Sequence, residues 1–140
     1  MKKVERAGVL PYRLSNNWKV EYLFMKPSDP TYGGSNFQIA KGHVDPTDAS
    51  YLAAALRECE EELGVSADQF ESIEKIGVFH GRTHYFLGKL KEDFVLKPFC
   101  QETGEIAFLD YSTFSLIGRD LHKDVVKRAR DLIADSYSVV

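Results

Sequence analysis

Between Arg57 and Val65 the chain reads Arg-Glu-Cys-Glu-Glu-Glu-Leu-Gly-Val, and its glutamates are the residues best placed to do chemistry. Glu58, Glu61 and Glu62 stand at i, i+3 and i+4. On an α-helix such residues are neighbours, with Cβ atoms about 5–6 Å apart. Like charges at that spacing repel, so the arrangement gains nothing unless something positive sits among them. Oxygen ligands clustered without paired cysteines or suitably spaced histidines favour a hard cation, Mg2+ first and Mn2+ second. Mg2+ commonly keeps some waters and binds through a few carboxylates together with substrate phosphates, which suits a diphosphate linkage. Taken alone, the run Glu60-Glu61-Glu62 is more often the solvated face of a helix.

The elements that must carry these groups follow from periodicity. Leu52, Leu56, Cys59 and Leu63 recur as one apolar stripe, predicting a helix from about Ala49 to Leu63 whose carboxylates face away from the core. Asp48 or Ser50 can cap its start, with Asp48 expected as the cap, and Gly64 supplies a residue tolerant of positive φ at its end. Upstream, Phe37 to Ala40 reads as extended and Gly42 as part of a loop. Ala7 to Leu14 and Trp18 to Met25 read as strands around the polar turn Ser15-Asn16-Asn17. Pro27 to Asn36 reads as a loop, Ile73 to Phe79 and Thr83 to Leu90 as strands with Gly81 and Gly88 permitting a bend or bulge, and Glu105 to Asp110 as a late strand. Leu121, Val125, Ala129, Leu132 and Ile133 make the inward stripe of a terminal helix.

At these residues the chain resembles the Nudix hydrolase family. That family's signature runs glycine, five residues, glutamate, seven residues, then Arg-Glu-apolar-any-Glu-Glu-any-Gly-apolar. The second half matches throughout Arg57 to Val65, whereas five residues after Gly42 stands Asp48 instead of glutamate, and eight residues separate it from Arg57. Ala7 to Arg13 and Glu105 to Phe108 look like the family's first and late core strands. The resemblance implies an α+β domain over 1–140, an α/β/α sandwich with a mixed sheet. It implies a metal-dependent hydrolase in which water attacks phosphorus in a phosphoanhydride. Glu58, Glu61 and Glu62 would be metal ligands with catalytic roles, one of them or a later glutamate being the general base. Arg57 would orient a carboxylate, and Lys41 and Gly42 would bring a cation and a backbone carbonyl to phosphates and metal. A further ligand is expected just before the late strand, Glu102 in preference to Glu105.

Family substrates include nucleoside triphosphates, dinucleoside polyphosphates, nucleotide sugars, ADP-ribose, RNA 5′ ends and diphosphoinositol phosphates. The run Ala40-Lys41-Gly42-His43 is similar to the Pro-Lys-Gly-His pattern of the dinucleoside polyphosphate and diphosphoinositol phosphate enzymes, which leans the expectation to dinucleoside polyphosphates. Competing expectations are a nucleoside triphosphate pyrophosphohydrolase and a nucleotide-sensing domain without turnover, the latter favoured if the carboxylates pair with internal Lys or Arg instead of opening to a cleft. Tyr85 or Phe86 could stack on a base, with Arg82 beside them at the substrate, or both rings could be core.

Composition agrees with an ordinary globular enzyme: 44% hydrophobic, 28% charged and a net charge of −3. That balance suggests no nucleic-acid or membrane partner, an RNA 5′ end as substrate excepted, and Lys123, Lys127, Arg128 and Arg130 read as the solvated face of the terminal helix. No apolar run approaches the ~20 residues of a membrane span, and the expected location is cytoplasmic, as monomer or homodimer. Cys59 and Cys100 lack paired spacing and read as free thiols, Cys59 buried.

Overall fold

The computed structural model describes residues 4–15, 17–29, 31, 34–96 and 103–137. Strands β1 (Arg6–Leu14) and β2 (Val20–Pro27) pair antiparallel at Tyr12↔Tyr22 through Leu14↔Val20. β3 (Lys41–His43) pairs antiparallel with the other end of β1, Gly8 opposite Lys41 and Arg6 opposite His43. β1 therefore divides one edge between two partners, and the chain entering β3 passes close behind it. A Cβ on Gly8 would collide with the Ala40 carbonyl, so only glycine lets the backbones approach. Along its other edge β1 runs parallel to β5 (Thr83–Leu90), which pairs antiparallel with β4 (Phe70–Phe79). β6 (Thr103–Leu109) closes the far side against β2, giving the order β4-β5-β1-β2-β6 with β3 attached to β1.

Strand alternation sorts the core into two layers. Leu10, Tyr12, Tyr22, Phe24, Tyr85 and Leu87 face helices α2 (Tyr111–Ile117) and α3 (Asp120–Ser136), where Phe114, Val125 and Ile133 meet them. Ala7, Val9, Leu23, Met25 and Phe86 face α1 (Tyr51–Leu63) through Ala54, Ala55, Cys59 and Leu63. The result is the expected α/β/α sandwich around a mixed sheet.

Several local expectations change. Extended pairing after Phe37 reaches regular strand only at Lys41–His43, over residues read as loop, because β1 offers its free edge there. The β2 strand starts at Val20, beyond Trp18, whose φ of 60° lies in the turn. Bulges fall at Phe70/Ser72 and Lys75/Gly77, and Gly81 sits in the β4–β5 turn at φ +78°. In α3, Leu121 is exposed and His122 takes the inward place, since the helix begins only at Asp120. Cys59 is buried and free, while Cys100 and Glu102 lie outside the described residues. Among the described residues no helix is long and apolar enough to cross a membrane.

Candidate active site

Helix α1 starts where Ser50, in an extended conformation, accepts the Ala53 N–H on its hydroxyl at 3.0 Å. It ends at Gly64, φ 70°, whose N–H returns to the Glu60 carbonyl at 3.0 Å. Asp48 is not the cap. Its carboxylate receives Arg57 Nε at 3.1 Å, Arg57 Nη2 at 2.9 Å and the Asp45 N–H at 2.8 Å. The loop's extra residue moves the cap to Ser50 and leaves Asp48 beside the side chain of Arg57.

Arg57 is the hub of the loop. Nη2 also donates to the His43 carbonyl at 3.0 Å, and Nη1 donates to Glu58 at 3.0 Å and to Glu61 at 3.4 Å. One planar guanidinium thus ties residues 43–48 to α1 and fixes two carboxylates at once, geometry an ammonium could not supply. The Asp48 hydrogen bond raises the Arg57 pKa further, and Arg57 in turn holds the Asp48 carboxyl below its usual range.

The carboxylates do not simply face solvent, as the apolar stripe had suggested. Glu58 and Glu62 are partly buried between α1 and β3, and only Glu61 is well exposed. Burial, then the charge of Glu61, raises Glu58; burial, then the charge of Glu58, pushes Glu62 up to about 7, against a hydrogen bond from the Lys41 backbone N–H. A Cβ at Gly42 would collide with the Glu58 carboxyl group, so glycine lets the β3 backbone lie directly against it.

Among the described residues no three acidic, histidine or cysteine side chains stand ready to hold a metal ion; Arg57 engages both Glu58 and Glu61. The donor set nevertheless suits a hard cation. Three carboxylates share one helix face, two of them disfavoured as anions by burial and by a neighbouring glutamate, beside a glycine backbone.

Glu58, Glu61 and Glu62 open onto a cleft of about 1230 Å³ that also receives Arg6, Lys41, Arg82 and Arg119. Lys41 and Arg82 were legible beforehand; Arg6 and Arg119 were not. Arg119 arrives because its backbone N–H donates to the Phe37 carbonyl at 2.8 Å while His122 Nδ1 accepts the Ile39 N–H at 3.0 Å. Those bonds fasten the start of α3 to the segment leading into Lys41. Burial, then Arg119 and Arg6, lowers Lys41 to about 8, with Glu62 opposing.

Tyr85, Phe86 and Glu105, all offered by the sequence, do not line the cleft. Tyr85 is wholly buried in the α3-side core, its ring edge-on to His122 at 5.9 Å, and cannot stack on a base. Phe86 points into the opposite core layer, so neither aromatic lines the cleft. Glu105 stands on β6 opposite Lys26, whose Nζ lies at 3.9 Å, and is not itself among the residues lining the cleft.

The chain belongs to the NUDIX domain family, whose model matches residues 5–135. Family membership makes it a hydrolase of the phosphoanhydride-cleaving class. No curated protein matches it by sequence. Its fold is similar to that of a C. elegans Ap4A hydrolase in a binary complex, at TM-score 0.76 and 22% identity over 95% of this chain and 99% of that one. It is also similar to the M. smegmatis Nudix hydrolase RenU, at TM-score 0.72 and 11% identity over 98% and 89%. The NUDIX domain of Shewanella oneidensis NrtR complexed with ADP ribose aligns at TM-score 0.72 and 10% identity over 95% and 90%.

Proposed function

We propose that this domain is a divalent-metal-dependent hydrolase cleaving a phosphoanhydride in a nucleoside diphosphate-linked substrate, with dinucleoside polyphosphates as the favoured class. The observation that carries the reading is the meeting of Glu58, Glu61 and Glu62 with Arg6, Lys41, Arg82 and Arg119 in one cleft. Acidic groups alone would repel a polyphosphate, and basic groups alone would bind it without activating water. The fold shared with an Ap4A hydrolase supports the substrate lean.

Glu58, Glu61 and Glu62 would hold Mg2+ or Mn2+ beside the Gly42 backbone. When bound, such a cation polarises phosphoryl oxygens and lowers the pKa of water. Lys41 and Arg82 bind phosphate oxygens and orient the chain of phosphates. Arg57 keeps Glu58 and Glu61 in place while Asp48 fixes Arg57. One of these carboxylates, or a glutamate on a later loop, takes the proton released by the attacking water.

The second reading is a nucleotide-binding domain without turnover; Arg57 pairs with Glu58 and Glu61, but all three carboxylates open onto the cleft, which favours the enzyme. A substrate panel with Mg2+ or Mn2+ and product identification separates the two, and cleavage products also separate a dinucleoside polyphosphate hydrolase from a triphosphate pyrophosphohydrolase. Glu61→Gln and Glu62→Gln each lower turnover by about a hundredfold or more with the fold intact, and Glu60→Gln has far less effect. Equal losses for all three variants refute the assigned roles.

A further inference from the structure

Helix α1 carries at its first residue a ring that takes no part in the cleft. Tyr51 follows the Ser50 cap and lies flat on the imidazole of His84, with ring centroids 3.6 Å apart and planes within 9°. His84 belongs to β5, one residue before Tyr85, and so faces the opposite, α1 side of the sheet together with Phe86. It is buried, and the Glu5 carboxylate accepts from its Nε2 at 2.9 Å. Glu5 in turn holds the chain leaving β3, because its carbonyl accepts the Val44 N–H at 3.0 Å. The start of α1, β5 and the exit of β3 are thus joined through one imidazole. None of Glu5, Tyr51 and His84 lines the cleft.

Helical rotation connects this cluster to the carboxylates. Glu58 and Glu62 stand seven and eleven residues after Tyr51, about two and three turns on, which puts the three side chains in one row along α1. Ala55 lies in the same row, fully buried, and its methyl group allows close approach to the sheet while offering little resistance to rotation of the helix. The orientation of the row is therefore set at its ends. At one end Tyr51 rests on His84, and at the other Glu58 lies so close to Gly42 that a Cβ there would collide with it. With side chains reaching about 5–6 Å from the axis, a rotation of about 10° moves a carboxylate by about 1 Å. Metal ligands tolerate only about 0.2 Å.

Packing alone does not explain the histidine. Among the described residues its Nδ1 is buried with no hydrogen-bond partner, a cost in stability that a phenyl ring at the same place would not carry. What the imidazole adds is the bond to Glu5, which fixes the direction of the face on which Tyr51 rests.

We propose that Glu5, His84 and Tyr51 are positioning residues, a clamp that fixes the rotation of α1 and thereby places Glu58 and Glu62 for a divalent cation without touching cation or substrate. The inference rests on the metal-dependent reading for the ion those carboxylates hold.

The test reads Mn2+ binding from the electron paramagnetic resonance signal of the free ion, with no substrate and no turnover. It compares the natural protein with Tyr51→Ala, Tyr51→Phe and Glu5→Ala. Val126→Ala, in the core layer on the other side of the sheet, serves as a variant that lowers Tm without disturbing the clamp. Tyr51→Ala and Glu5→Ala are expected to weaken Mn2+ by at least about fivefold, in the range seen when groups that orient metal ligands are removed. Tyr51→Phe keeps the stacked ring and should bind within about twofold of the natural protein, as should Val126→Ala despite its lower Tm. With substrate, Tyr51→Ala should raise the Mg2+ concentration for half-maximal rate in the same proportion and leave KM unchanged. Should Tyr51→Ala not fold, Glu5→Ala, at a half-buried position, carries the same comparison.

Natural Mn2+ affinity in Tyr51→Ala or Glu5→Ala overturns the clamp. So does an equal weakening in Val126→Ala, because the loss then follows stability and not position. Tyr51→Phe as weak as Tyr51→Ala overturns the role given to the stack. A natural protein that neither binds Mn2+ nor cleaves any substrate sinks the hydrolase reading and the clamp together, whereas Mn2+ binding indifferent to Tyr51 and Glu5 sinks the clamp alone.

Discussion

His122 gives the protein an acid sensitivity whose size can be worked from its surroundings. The side chain is fully buried, and its Nδ1 accepts the Ile39 N–H at 3.0 Å, so that nitrogen must be unprotonated in the folded state. Burial first, then the positive charges of Arg119 and Lys41, lowers its pKa from 6.5 to about 2. The unfolded chain takes up the proton below about 6.5 and the folded chain does not. The stability His122 contributes is therefore complete above that pH and is lost progressively as pH falls toward 2. Between pH 7 and pH 5 the loss amounts to about 2 kcal/mol, from a slope near 1.4 kcal/mol per pH unit.

Glu62 acts in the opposite sense. Its folded value of about 7 lies above the ordinary 4.5, so its protonation favours the folded state as pH falls. The natural protein's pH profile alone thus mixes two opposed contributions, and the informative quantity is a difference between proteins. His122→Asn keeps an acceptor for the Ile39 N–H and removes the titration. It also leaves space beside Tyr85, for a cost at pH 7 of roughly 1–3 kcal/mol. Urea unfolding of both proteins at pH 7 and pH 5 should show their stability gap shrinking by about 2 kcal/mol at the lower pH. A gap of the same size at both values refutes a neutral His122 in the fold.

Two further outcomes separate structural from functional roles. Ser50→Ala removes the hydroxyl that caps α1 and should cost about 1 kcal/mol in denaturant melts with unchanged metal dependence, whereas Asp48→Asn, which weakens the two-point pair with Arg57, should raise the Mg2+ concentration for half-maximal rate; identical metal titrations for both variants would contradict the role given to Asp48. Tyr85→Phe deletes a buried hydroxyl that has no hydrogen-bond partner among the described residues, so stability should change by less than about 1 kcal/mol with KM intact, and a selective rise in KM for nucleotides would return Tyr85 to the site.

What could be read in advance lies close together along the chain. Helix α1, its glycine stop, the facing of Glu58, Glu61 and Glu62 and the proximity of Arg57 follow from rotation about one axis, because a helix brings neighbours three and four apart together wherever it is placed. The same holds for the two-layer alternation of β1, β2 and β5. Where Asp48 directs its carboxylate was not so determined, because a loop one residue longer can place it at the helix start or against Arg57, and only the folded path of residues 43–50 chooses. Tyr85 had the character of either a platform or a core residue; the α2 and α3 helices covering that face of β5 made it core. Arg6 and Arg119, which join Lys41 and Arg82 at the cleft, carry no local pattern at all. They meet because β1 pairs with both β3 and β5 and because backbone bonds at Phe37 and Ile39 draw the start of α3 to the cleft, and convergence of that kind depends on long-range partners that no short stretch of sequence contains.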